Sequence, residues 1–402
     1  MRPPRIQRFY GAFFLAALMR RMLSYLVIVY GFQSLGGGGW SGLLYFCVFA
    51  PYLLLGLYAG VIVDRSSKRR SLTLALAAAE GIFLAIAAAA ADDWFGWARQ
   101  RGALLCAGTF LYGLDYALIY PCFLAALPQF VKREEIGKAT ITINVLSTVA
   151  LAYAPLLVGV LRTRLEWGAL FGTLALGSAA AWLLAVRSGV AAGETSAGSV
   201  SDWESLKELF HFSRGQRRLA HVFVCAALFC LFMVGPLEVL LPNLLERGFG
   251  FAPFPAGLFI AIGGTGLVAG SALALAVIGR GRPEYWLSAC AIASSVLMVL
   301  SVHASRPLLG AILFLSGAFA GVFSSLVIAH VQSWAPDALR GRVMGLFALI
   351  MGGVPSLGGL GAGLVADRCG VGAAVEGAFG LAVVLFAFAA AAAPRLRSAA
   401  AA

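Results

Sequence analysis

The sequence has little charge for its length. Of its 402 residues, 12% are charged and 61% are hydrophobic, and the mean hydropathy is +0.89. Soluble globular chains carry about 25% charged residues, so a soluble globular protein is excluded. A net charge of +12 would suggest a nucleic-acid partner for a soluble chain. Here no nucleic acid is expected, because lysines and arginines collect in the cytoplasmic loops of membrane proteins.

Motifs of catalysis and of cofactor binding are also missing. The seven cysteines contain no C-x-x-C pair, and the four histidines have no metal-ligand spacing, so neither a metal nor another cofactor is expected. Residues 36–39 are four glycines, but no lysine-serine or lysine-threonine pair follows as in a phosphate-binding loop. There is no nucleophile elbow and no ATP-binding sequence. The sequence predicts no enzyme, and any transport must draw its energy from a gradient.

Long apolar runs, in contrast, are abundant. Twelve stretches approach or exceed the roughly 20 residues that cross a bilayer as a helix. They predict an all-α membrane protein with twelve transmembrane helices. The polar stretch 187–218 separates an N-terminal six-helix bundle, 1–186, from a C-terminal six-helix bundle, 219–402. We expect 187–218 to be a cytoplasmic linker, in which residues 201–204 form a capping box that starts a short amphipathic helix.

The distribution of basic residues predicts the orientation. With the N-terminus inside, the predicted cytoplasmic segments carry most of the lysines and arginines. Because such residues stay on the cytoplasmic side, both termini are expected to be cytoplasmic. The expected location is a bacterial inner membrane, which the chain crosses many times as a monomer embedded in the lipid bilayer.

One short loop between the second and third apolar runs combines a carboxylate with four cations. It resembles the signature loop between helices 2 and 3 of the major facilitator superfamily of transporters. The positions that match the signature are Gly60, Asp64, Arg65, Lys68 and Arg69, whereas Ser67 stands where the family usually has glycine. The alternative is an ordinary positive-inside loop that serves only the orientation of the chain.

The two predicted halves repeat one another, as transporter halves do. Pro155 and Gly159 form a P-x-x-x-G motif in span 5, and Pro355 and Gly359 form the corresponding motif in span 11. Each motif follows a basic loop. These segments are similar to the glycine-proline motif of antiporters, although Ala154 and Val158 replace the usual flanking glycines. The resemblance therefore implies proton antiport.

The superfamily resemblance covers nearly the whole chain, and two segments resemble one branch of it. Residues 127–135 and 340–345 look like those of macrolide-efflux proteins, enterobactin-type siderophore exporters and a lysophospholipid transporter. In the family, the loop after helix 2 packs against span 11 and closes the cytoplasmic side. This implies a conformational latch, which we assign to residues of the two motifs: Gly60, Asp64, Arg65, Lys68, Arg69, Arg340 and Arg342.

Ionisable residues inside the apolar runs are the main candidates for proton coupling or substrate binding: Arg20, Arg21, Glu80, Asp115 and Glu238. A charge at bilayer depth costs at least about 2.5–3.5 kcal/mol, so such groups face a cavity or one another. Adjacent helical residues point about 100° apart, so Arg20 and Arg21 cannot both reach one partner. Asp115 is a candidate coupling residue, with a static ion pair to a span-1 arginine as the alternative.

Polar and aromatic residues on the predicted cavity helices suggest a lining for a bulky amphiphile: Tyr25, Tyr30, Gln33, Tyr112, Tyr116, Asn144 and Phe323. The resemblance implies a secondary exporter of an amphiphilic small molecule, such as a siderophore or a drug-like compound, by proton antiport with alternating access. Two alternatives remain open. One is a lysophospholipid flippase of the same branch, and the other is a membrane receptor that does not transport.

Overall fold

The computed structural model describes residues 3–55, 67–90, 100–191, 217–277, 283–334 and 340–392. The proposed linker helix near residue 201 and the loop around Asp64 lie outside these ranges. Within them, the backbone is almost entirely helical. Helices suit long apolar runs because each backbone N–H and C=O must find its partner within the segment where no water is present.

Six helices make up the described part of the N-terminal half. They are α1 (Pro3–Ser34), α2 (Gly38–Leu55), α3 (Lys68–Ala90), α4 (Arg101–Ala126), α5 (Ile136–Arg162) and α6 (Trp167–Ser188). Two short 3₁₀ turns, Leu127–Gln129 and Arg133–Glu135, connect α4 to α5. Within this half α1 packs on α2, α5 and α6, and α4 packs on α2 and α3.

Six more helices lie in the described residues of the C-terminal half. They are α7 (segments Arg217–Phe229, Cys230–Val234, Gly235–Asn243 and Leu244–Gly248), α8 (Pro253–Val277), α9 (Pro283–Ser301), α10 (Arg306–Trp334), α11 (Arg340–Cys369) and α12 (Val371–Ala392). Eleven of the helices in the described part of the chain are long and apolar enough to cross a membrane. α9 is a shorter apolar helix, so the structure agrees with the predicted twelve-helix membrane fold.

The two halves meet along two helix pairs, α2 with α11 and α5 with α8. Small residues allow this close approach. Gly42 on α2 lies against the backbone of Gly359 and Leu360, and Gly257 on α8 lies against the carbonyl of Pro155. A methyl group at either glycine would overlap the facing backbone. The P-x-x-x-G motifs of α5 and α11 therefore lie at the contact between the halves.

The helix α7 changes its pitch twice. Its segments Cys230–Val234 and Leu244–Gly248 are π-helical, and the N–H of Gly235 bonds to the carbonyl of Cys230. Pro236 has no N–H to donate to the preceding turn, which explains why the helix widens just before it. Such π-helical turns are common at functional sites. Glu238 follows the first of them.

The ends of α1, α5 and α7 lie together, and the start of α2 lies against the end of α11. The start of α1 lies against the end of α6, so the bundle has two ends. We call the end at which α1 begins the near end, and the end at which it finishes the far end. The sequence prediction that both termini are cytoplasmic would make the near end the cytoplasmic one.

Candidate functional site

A buried ion pair joins α1 to α4. The guanidinium of Arg20 donates a hydrogen bond of 2.5 Å to the carboxylate of Asp115, and their side chains are 1% and 4% exposed. The carbonyl of Arg20 accepts hydrogen bonds from the hydroxyls of Tyr112 at 2.6 Å and Ser24 at 3.0 Å. Tyr112 and Ser24 thus hold the backbone that carries Arg20. Charges removed from water in this way are tolerated only when they are paired.

Two polar atoms of the Arg20–Asp115 pair lack a hydrogen-bond partner in the described part of the chain. Among the described residues, Nε of Arg20 and Oδ1 of Asp115 are buried and have no hydrogen-bond partner. Buried polar atoms nearly always have a partner in proteins, either from the chain or from an ordered water. These two atoms therefore offer hydrogen-bonding positions beside the ion pair.

Arg21 points in a different direction from Arg20. Its guanidinium lies 5.7 Å from the ring centre of Tyr116 on α4, within the range of a cation–π contact. Its side chain is partly exposed, whereas that of Arg20 is fully buried. The turn of about 100° between neighbouring helical residues gives the two arginines different surroundings.

A cavity of about 180 Å³ lies beside these arginines. Its wall combines cations with aromatic rings, namely those of Arg20, Arg21, Tyr52, Tyr116, Tyr120 and Phe123. The contributing part of α1 runs from Phe13 to Arg21, and α5 contributes Ser147. These residues lie towards the near end of α1, α2, α4 and α5. The cavity therefore occupies the near half of the N-terminal bundle, on the side predicted to face the cytoplasm.

Glu238 brings a carboxylate from the C-terminal half close to the same region. Its neighbour Val239 belongs to one apolar cluster with Met22, Leu23 and Leu26 of α1. Glu238 itself is partly exposed. It does not border the cavity described above, but its segment of α7, Gly235–Asn243, contacts α1, the helix that carries Arg21. The two halves thus place opposite charges around the interior of the protein.

A second polar cluster closes the far end. Arg162 on α5 donates a hydrogen bond of 2.5 Å to Glu246 on α7, and both side chains are almost fully buried. Gln33 on α1 donates to Glu246 at 2.5 Å and accepts from Arg162 at 2.8 Å. We call Gln33, Arg162 and Glu246 the far-end cluster. It connects the N-terminal half to the C-terminal half.

Two further contacts between the halves lie at the same end. The carboxylate of Asp367 on α11 accepts hydrogen bonds from the backbone N–H groups of Gly38 and Gly39, at 2.5 and 2.7 Å. These N–H groups open α2, where a helix has unsatisfied donors and favours negative charge. Arg247 on α7 donates to the carbonyl of Phe32. The far end is therefore closed by contacts that the sequence alone did not indicate.

The structure separates the other predicted lining residues. Asn144 is exposed on α5 and accepts a hydrogen bond of 2.7 Å from Tyr120, which lines the cavity. Tyr30 packs edge-on against Trp167 and is 1% exposed. Phe323 is fully buried against Phe229. Helix packing, rather than contact with the cavity, accounts for Tyr30 and Phe323.

Three of the predicted residues occupy other polar surroundings. Gln33 lies in the far-end cluster. The hydroxyl of Tyr25 is buried and has no hydrogen-bond partner among the described residues. Glu80 lies on α3, which packs on α4 and α6, and its Oε2 is also without a described partner. Neither Tyr25 nor Glu80 borders the cavity described above.

The chain resembles a known protein family in sequence and solved structures in fold. Residues 9–312 match the family described as the Major Facilitator Superfamily. The chain belongs to the major facilitator superfamily. Members of this superfamily are membrane transporters rather than enzymes in general, so the chain is a multi-pass membrane transporter by family. No curated protein matches the chain in sequence.

Solved structures of transporters share the fold at low identity. A mutant of the nucleoside transporter NupG is 14% identical, with 97% of this chain and 99% of that chain covered and a TM-score of 0.77. A bacterial homologue of the human lysosomal transporter Spinster, inward-facing and unoccupied, is 14% identical over 97% and 96%, with a TM-score of 0.72. A D-xylose–proton symporter is 13% identical over 96% and 97%, with a TM-score of 0.71.

The superfamily latch falls largely outside the described residues. Gly60, Asp64 and Arg65 lie there, and so do the side chains of Arg340 and Arg342, whose backbone starts α11. Lys68 and Arg69 form the first turn of α3. The latch therefore stays a prediction. Within the described residues, no group of three or more histidine, cysteine, aspartate or glutamate side chains could hold a metal ion.

Proposed function

We propose that this superfamily member is a secondary active exporter of an amphiphilic small molecule, driven by proton antiport. The observation that carries the proposal is the cavity between α1, α2, α4 and α5, whose wall combines tyrosine and phenylalanine rings with the cation of Arg21. Aromatic walls with a few placed polar groups suit ligands with an apolar body and a polar part.

The direction of transport is supported by the two ends of the bundle. The cavity lies in the near half, and the far-end cluster joins the halves at the opposite end. With the near end cytoplasmic, this conformation takes up substrate from the cytoplasm. Residues 127–135 and 340–345 resemble those of exporters, which supports transport out of the cell.

Glu238 is our candidate for the exchanging proton. It is partly exposed, and its segment of α7 contacts α1, the helix that brings Arg21 to the cavity. An ionised Glu238 accepts hydrogen bonds from the donors of a substrate, and a proton arriving from outside removes that acceptor and promotes release. Asp115 is the second candidate. It would exchange a proton only in a conformation in which Arg20 has released it.

The cellular setting follows the same proposal. The chain is a monomer in a bacterial inner membrane, with both termini in the cytoplasm. Residues 1–186 and 219–402 move as two six-helix bundles, and 187–218 links them. The Asp64 loop and the start of α11 close the near end after the substrate has bound. The partners are the small amphiphile, protons and lipid.

Counterflow in proteoliposomes tests this function. A siderophore, a macrolide and a lysophospholipid are offered with and without an inward-directed proton gradient. We expect flux of the siderophore or the macrolide to rise with the gradient, and Glu238→Gln to abolish the response while Glu80→Gln retains it. Lysophospholipid movement that ignores pH would favour the flippase. Absence of flux with all three compounds would contradict the exporter.

A further inference from the structure

The charges near the cavity fall into two pairs that balance. Away from the helix ends, the charged side chains on the described parts of α1, α2, α4, α5 and α7 are Arg20, Arg21, Asp115 and Glu238. When all are ionised, two positive charges face two negative ones. Because a net charge is expensive at this depth in a membrane, a bound molecule that adds charge must be compensated by a proton or an ion.

The first pair, Arg20 and Asp115, does not offer an unpaired charge to a ligand. Arg20 and Asp115 meet at 2.5 Å with side chains 1% and 4% exposed, so each neutralises the other. The hydroxyl of Tyr112 fixes the backbone of Arg20. Separating buried charges that already have a partner is strongly unfavourable. Arg20 borders the cavity, and the pair adds no net charge to it.

The second pair, Arg21 and Glu238, is accessible to a ligand. Arg21 borders the cavity, and its guanidinium packs on the ring of Tyr116. Among the described residues it forms no salt bridge with a carboxylate. Glu238 lies in the other half of the molecule, in the segment Gly235–Asn243 of α7, which contacts α1. Both side chains are partly exposed. A substrate can therefore lie between them, with acceptor groups towards Arg21 and donor groups towards Glu238.

We infer that Arg21 and Glu238 together set the charge selectivity of the cavity, and that the substrate is an aromatic amphiphile without net charge, either neutral or zwitterionic. Such a molecule gains hydrogen bonds from both residues and stacking from Tyr52, Tyr116 and Tyr120, and it leaves the charge balance intact. A cation is repelled by Arg21, and an anion by Glu238. This inference rests on the proposed function for the identity of the site, but it concerns binding and does not require a proton gradient.

Three aromatic probes of related shape and different charge test the inference. They are tetraphenylphosphonium, tetraphenylborate and uncharged triphenylphosphine oxide. Binding to the full chain in nanodiscs is measured by equilibrium dialysis, with empty nanodiscs as the blank. We expect the uncharged probe to bind the wild-type protein at least tenfold more tightly than either ion. Arg21→Gln should shift the preference about tenfold towards the cation, and Glu238→Gln about tenfold towards the anion.

Matched variants separate charge selectivity from folding. Arg21→Lys and Glu238→Asp keep each charge and should retain the wild-type order of the probes. Arg164→Gln and Glu166→Gln each remove one exposed charge, of opposite sign, from the loop between α5 and α6. Both should leave the order unchanged. Opposite shifts in Arg21→Gln and Glu238→Gln cannot come from a general loss of structure, which would weaken all probes alike.

The inference is overturned if the wild-type protein prefers one ion by tenfold, if both neutralising variants shift the preference in the same direction, or if none of the probes binds above the blank. The outcome of the counterflow measurement does not depend on the outcome of this binding experiment. Selectivity that shifts as expected in a protein without flux would contradict the exporter and support this assignment. Flux with unshifted selectivity would support the exporter and contradict the assignment.

Discussion

Arg162 on α5 and Glu246 on α7 form a nearly buried ion pair of 2.5 Å that joins the two halves of the protein at the end opposite the cavity. The guanidinium of Arg162 also lies 5.2 Å from the ring centre of Trp167, which helps to fix its orientation. For a transporter that alternates between two conformations, a contact present in one of them biases the equilibrium towards that conformation.

Breaking this pair should open the far end. Glu246→Gln leaves Arg162 without its counter-charge, and even about 1.4 kcal/mol lost from this conformation changes the population ratio tenfold. We expect spin labels at Thr163 and Ser305, both exposed at the far end, to move to longer separations in double electron–electron resonance. The labelled protein carries Cys369→Ser, since Cys369 is exposed.

A control variant distinguishes this effect from a general change of surface charge. Arg164 is exposed in the same region, so Arg164→Gln should leave the distance distribution unchanged. An unaltered distribution in Glu246→Gln would show that the pair does not hold the far end closed.

Neutralising Asp115 should destabilise the protein. Asp115→Asn leaves Arg20 buried without a counter-charge, and removing one partner of a buried ion pair costs about 3–5 kcal/mol. We expect a clear decrease in the thermal unfolding temperature in detergent. Glu238→Gln should lower it less, because Glu238 is partly exposed. Equal decreases in the two variants would argue against a structural role for the Arg20–Asp115 pair.

Close packing of α8 on α10 predicts a steric effect. A methyl group at Gly317 would overlap the carbonyl oxygen of Gly263, whereas one at Gly380 on α12 would meet nothing within 4 Å. Gly317→Ala should therefore destabilise the fold, since overpacking typically costs about 1–3 kcal/mol. Gly380→Ala should be close to neutral. Thermal unfolding of both variants in the same detergent provides the comparison, and equal stability would contradict the described packing.

The predicted orientation can be tested with single cysteines. In a Cys369→Ser background, a membrane-impermeant maleimide should label Arg164→Cys at the far end in intact cells. It should label Glu134→Cys, between α4 and α5, only after the membrane is permeabilised. Both positions are exposed. The reverse pattern would place the far end in the cytoplasm and remove the argument for export from the position of the cavity.

Much of the site could be anticipated from residue type and spacing. The cost of burying charge identified Arg20, Arg21, Asp115 and Glu238 before any contact was known. The angle between neighbouring helical residues indicated that the two arginines face different surroundings. The sequence also offered a span-1 arginine as an ion-pair partner of Asp115, but it did not decide between Arg20 and Arg21. Asp115 follows Arg20 by 95 residues, and a helical period gives the face of a residue only relative to its own helix.

The far-end cluster illustrates the same limit. Arg162 and Glu246 lie near helix ends, where charged residues usually face solvent, and nothing in their local sequence distinguishes them from ordinary loop charges. Tyr30 and Phe323 show the converse, since aromatic residues suit a cavity wall and helix packing equally well. Hydropathy by itself determined that the chain crosses a membrane as helices, because the bilayer requires every backbone group to be paired within its segment. Only the tertiary structure decided which charges are neutralised and which remain open, because pairing depends on the rotation and depth of helices that are far apart in the chain.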